Sequence, residues 1–119
     1  MNDRRLQQEA ERIVAEALQA LPPILRERAE RVPVVFLPVP DDEIAEALGD
    51  DLLGLFEGEP TDVDDVPMAS RIFLFYANIA DYAEDEGNTY AEEVERTYLH
   101  ELGHLFGWGE DDLAERDLD

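Results

Sequence analysis

Cysteine is absent from the chain, so disulfides, thiolate metal ligands and a cysteine nucleophile are all excluded. Lysine is absent as well: the nine basic residues are all arginine, set against 31 acids, for a formal charge of -22. A field of that sign repels phosphate backbones and anionic lipid headgroups, so neither nucleic acid nor membrane is expected as a partner. A protein mimic of nucleic acid would need carboxylates in regular rows, whereas here they are scattered over helix faces and loops. Long apolar runs are also missing. The N-terminal MNDRRLQQEAERIVAEAL is charged throughout and reads as neither signal peptide nor membrane span, which makes the cytoplasm the expected location. Internal repeats and low-complexity tracts are absent too.

What is present is a folded-protein composition, 45% hydrophobic over 119 residues. That length suits one domain, residues 1–119, able to bury roughly two-thirds of its unfolded surface. Leu6, Ala10, Ile13, Val14, Ala17, Leu18 and Leu21 recur at helical spacing, predicting a helix that starts near Asn2 or Asp3 and ends at Pro22 and Pro23. The prolines can open a second short helix over ILRERAER. Residues 32–39, VPVVFLPV, predict a short strand with its prolines at the margins, and DDEIAEALG predicts a short helix closed by Gly49.

Farther on, LLGLFEG predicts a short strand broken by Gly54, followed by an acidic, proline-punctuated loop, EPTDVDDVPM. RIFLFYA, residues 71–77, is the clearest strand and apolar enough for the middle of a small sheet. NIADYAEDEG predicts one or two helical turns closed by Gly87. Thr89 and Glu92 then form a capping-box pattern, opening a long helix with Tyr90, Val94, Tyr98, Leu102 and Leu105 as its buried stripe and Gly107 as its stop. The closing LAERDLD predicts one frayed turn.

That helix carries the only two histidines, in TYLHELGHLFGWGEDD over residues 97–112. His100-Glu101-Leu102-Gly103-His104 fits HExxH, an arrangement that chance yields roughly once in 400. Residues four apart share a helix face, so both imidazoles can reach one ion, while Glu101 is turned aside and can contact a water on that ion. A catalytic site needs a third protein ligand and one open position. The chain is expected to reverse after Gly107, bringing back Glu110 as first candidate, with Asp111 as the alternative and Asp112 solvated. Two neutral histidines and one carboxylate suit a zinc ion that activates water to attack a carbonyl, with Glu101 moving the proton to the leaving amine.

From His100 onward, HELGHLFGWGED matches the zincin pattern HExxHxxGxx(H/D/E). Together with LLGLFEG and RIFLFY, it resembles the small prokaryotic zincin-like metallopeptidase family, most strongly over residues 52–58 and 71–112. The resemblance implies an α+β minimal zincin fold, with a small mixed sheet packed against an N-terminal helix and an HExxH active-site helix. It also implies one zinc ion on His100, His104 and Glu110, with Glu101 as the catalytic acid and Gly107 as the turn glycine. Glutamate stands where aspartate is often found in the family, which keeps Asp111 open as the ligand.

The expected activity is therefore zinc-dependent hydrolysis of a peptide or of a flexible protein segment. The alternative is an inactive zincin fold that binds an extended peptide at an exposed sheet edge. Tyr98 and Trp108 flank the motif, but aromatics at such spacing more often belong to core or rim than to a substrate pocket.

Overall fold

The computed structural model describes residues 2–58 and 70–106. The N-terminal stripe folds as helix α1, Asp3–Ala20, with Leu6, Ala10, Ile13, Val14 and Ala17 buried. Asn2 caps it, its side-chain oxygen accepting from the Arg5 backbone N–H at 2.9 Å. Pro22 and Pro23 stop it, and Pro23 begins α2, Pro23–Ala29, where a missing N–H deprives the helix of nothing.

Strand β1, Val34–Leu37, is held between Pro33 and Pro38. Neither proline can donate, yet both carbonyls accept, from Ile72 N–H and Ala77 N–H at 3.0 Å. Helix α3, Asp42–Leu48, is capped by the Asp41 side chain, which accepts from Ile44 N–H at 2.9 Å. Strand β2, Gly54–Glu57, begins at Gly54 rather than being broken by it. Strand β3, Arg71–Phe75, pairs in parallel with β1 and antiparallel with β2, so the three form a mixed sheet in the order β1-β3-β2. As expected, the most apolar strand lies in the centre: Ile72, Leu74 and Phe75 are fully buried.

Helix α4, Tyr76–Glu86, takes in the last two residues of the predicted strand and runs longer than the one or two turns predicted. The apolar run RIFLFYA hid the start of a helical spacing, since Tyr76, Ile79 and Ala83 are the buried residues of α4. Gly87 ends α4 in the left-handed region, φ 72°, a conformation that strains a residue with a β-carbon.

Helix α5, Tyr90–Leu105, starts at the predicted capping box. Thr89 Oγ1 accepts from Glu92 N–H at 3.1 Å, and Glu92 Oε1 accepts from Thr89 N–H at 3.1 Å. Helices α1, α4 and α5 pack on one another, and α5 also packs on β2 and β3. The Tyr90 hydroxyl donates to the Leu6 carbonyl at 2.9 Å, tying the start of α5 to α1, and burial raises its pKa so that the phenol stays protonated. The architecture is the expected α+β fold. No helix among the described residues is long and apolar enough to cross a membrane. The expected loop at residues 59–68, the stop at Gly107 and the final turn lie outside the described residues.

Replacing Thr89 by Ala removes one half of the box and is expected to cost about 1 kcal/mol, read as a thermal midpoint lowered by a few degrees. Hydrogen bonds from Thr89, backbone N–H first and hydroxyl second, hold the Glu92 carboxyl below its ordinary pKa of 4.5. A depressed folded pKa contributes stability above the unfolded value and loses it as pH falls through the folded one. Glu92→Gln is therefore expected to lower the melting temperature at pH 7, with the gap from the parent protein closing in melts at progressively more acid pH.

Candidate functional site

The rotation of α5 about its axis is set by its buried stripe. Val94, Tyr98, Leu102 and Leu105 are each no more than 1% exposed and face the core. Tyr98 is thus core, not pocket wall, and burial pushes its phenol up to about 12. With that stripe fixed inward, a neighbouring face carries Glu93, Thr97, His100, Glu101 and His104 at three- and four-residue spacing.

On this face the motif comes together. The His100 and His104 rings lie edge to face with centroids 5.0 Å apart. One ligand atom from each of His100, Glu101 and His104 falls within 4.8 Å of the others. Two zinc–nitrogen bonds of about 2.0–2.1 Å at a tetrahedral angle set their nitrogens about 3.3–3.4 Å apart, a separation that rings one helical turn apart can reach by side-chain rotation. Soft thiolates are absent, and imidazole with carboxylate is a donor set that zinc accepts. The two histidines and Glu101 can therefore contribute to a metal site. Glu110 and Asp111, the candidates for the third ligand, lie outside the described residues, as do Gly107 and Trp108.

Strand β2 meets α5 at Gly54. A β-carbon there would stand 2.7 Å from the Thr97 methyl, 3.1 Å from the Phe73 carbonyl oxygen and 3.2 Å from Glu101 Cγ. Glycine is needed for close approach, since its backbone is extended and not left-handed. The segment leading into the strand is also held, since Asn78 Nδ2 on α4 donates to the Asp50 and Leu52 carbonyls, each at 2.9 Å, and Phe75 N–H donates to the Leu53 carbonyl at 2.9 Å.

A cavity of about 280 Å³ opens beside the motif, walled by Leu53 and Gly54 on one side and by Thr97, His100 and Glu101 on the other. Tyr82 from α4 and Glu93 with Arg96 from α5 complete it. A larger cavity, about 640 Å³, adjoins it through Leu53 and Tyr82 but does not touch the histidines; the smaller one is the one that bears on chemistry. Gly54, Thr97, Glu93 and Tyr82 were not singled out as site residues by the sequence. For Glu93 and Thr97 a signal existed, because they sit seven and three residues before His100 on one helical face. For Gly54 and Tyr82 none did, since only the tertiary packing of β2 and α4 on α5 brings them here.

The family model described as zincin-like metallopeptidase matches residues 29–119. No curated protein matches the chain.

Gly54→Ala forces the new methyl into a β-branched side chain on a packed helix. A loss of about 1–3 kcal/mol in denaturant unfolding is expected, and Gly54→Ser is expected to be worse. A variant as stable as the parent would contradict the close approach.

Proposed function

From the premise that the chain belongs to the zincin-like metallopeptidase family, we propose that it hydrolyses peptide bonds with a zinc ion at His100 and His104. The observation that carries this reading is the convergence of His100, Glu101 and His104 within 4.8 Å on the wall of a cavity. His100 and His104 would hold the ion as neutral imidazoles, and Glu110, or Asp111 in its place, would supply the third ligand from residues 107–119. When bound, zinc lowers the pKa of a coordinated water to about 7 and polarises the substrate carbonyl.

The chain's own groups supply the rest. Glu101, partly buried and held beside Gly54, accepts the proton of the attacking water and returns it to the leaving amine. Close packing of its stem at Gly54 would narrow its rotamers and favour one aim of the carboxylate before substrate arrives. The wall made by Leu53 and Gly54 limits the water around the reacting carbonyl. The substrate is a peptide or a flexible protein segment, because an extended backbone can pair with β2, an edge strand among the described residues.

The same free edge favours a second reading, a module that holds an extended peptide without cutting it. The two separate on Glu101→Gln, assayed on a quenched-fluorescence peptide library with metal content measured in parallel. For the peptidase, turnover is expected to fall by about 10²–10⁴-fold while zinc is retained. Undiminished turnover in the variant would remove Glu101 from the mechanism. Full metal occupancy in the parent protein with no cleavage of the library would leave the binding module.

A further inference from the structure

Glu93 is only 2% exposed, unusual for a carboxylate that forms no salt bridge among the described residues. It sits in the first turn of α5, where the helix dipole favours an acid, but Glu92 already fills the cap and the dipole does not require burial. One oxygen accepts from Asn88 Nδ2 at 2.8 Å. An ionised carboxylate has acceptor positions for further donors. The side chain lines the cavity beside Glu101 and His100.

That cavity, about 280 Å³, is slightly smaller than the ~300–1,000 Å³ of small-molecule sites and suits one side chain. Its apolar walls are Leu53 and Tyr82, and Tyr82 is 42% exposed, an aromatic face open to a ligand. The adjoining cavity shares those two residues and adds Asp50, Asp51, Asp81 and Asp85, so the approach is anionic. We propose that this cavity is a specificity pocket for a basic substrate side chain, arginine or lysine, with Glu93 as its acceptor and Tyr82 against its stem. This rests on the peptidase reading and adds the substrate class to it.

The methylenes of such a side chain would lie on Leu53 and Tyr82, and its cation would gain both the Tyr82 ring and the Glu93 carboxylate. Arg96 lines the same cavity and offers the opposite preference, an acidic side chain. It is exposed, however, and Glu93 and Glu101 line the same cavity, so two carboxylates stand against one guanidinium and the pocket's balance stays negative.

Binding without turnover tests this directly. Full-length Glu101→Gln protein is titrated into labelled Ala-Ala-Ala-Xaa-Ala-Ala-Ala peptides, Xaa being arginine, norleucine or glutamate, and anisotropy is read at physiological salt. Arginine is expected to bind about tenfold or more tighter than norleucine, and glutamate weakest. Adding Glu93→Gln, which keeps the acceptor for Asn88 but removes the charge, is expected to collapse the arginine-to-norleucine ratio to about twofold or less. Removing the same charge at exposed Glu11 on α1 is expected to preserve the ratio. Tyr82→Ala, at an exposed position, is expected to reduce it and decides the matter if the Glu93 variant does not fold. Equal affinities, a preference for glutamate, or an unchanged ratio in the Glu93 and Tyr82 variants would overturn the pocket. A parent protein that shows the preference yet cleaves nothing would overturn the peptidase reading alone.

Discussion

How closely the sheet edge approaches the histidine-bearing helix is decided at Gly54, a strand residue with no side chain. With its α-hydrogen against the Thr97 methyl and the Glu101 stem, β2 sits flush on α5. The rest of the site follows from that contact. The buried stripe of α5 fixes which way the motif faces, Asn78 ties the segment before β2 to α4, and the cavity forms where the three elements meet. Close packing makes such a seam stiff, which suits a reaction that depends on placing one carboxylate accurately.

The charge of the chain acquires a local meaning in this setting. Acids scattered over helix faces are ordinary solvation, and most of the 31 need no other account. Glu93 is different because it is buried, and Asp50, Asp51, Asp81 and Asp85 are different because they line one cavity next to the motif. A protein-wide negative field raises encounter rates with cations, while a buried carboxylate in the wall of a pocket can select among them.

Much of this was legible in the sequence because local rules were strong. Asn2, Thr89 with Glu92, and the paired prolines mark helix ends by side-chain chemistry alone, and the HExxH spacing needs only helical geometry to bring its groups together. The sequence was weaker where an apolar run has no period: RIFLFYA reads as strand as far as Ala77, yet the strand stops at Phe75 and the helix begins at Tyr76. It was silent where packing between distant segments decides. Gly54 looked like a strand breaker and serves instead as a point of contact, and Tyr82, which belongs to no motif, reaches the cavity only through the seating of α4 on α5.

The central claim is that His100 and His104 hold a divalent cation together. Elemental analysis of protein purified without a polyhistidine tag measures it most directly. About one zinc per chain is expected, lost in folded His100→Ala and His104→Ala variants. A folded parent protein that takes up no divalent metal, or histidine variants that keep it in full, would contradict the account.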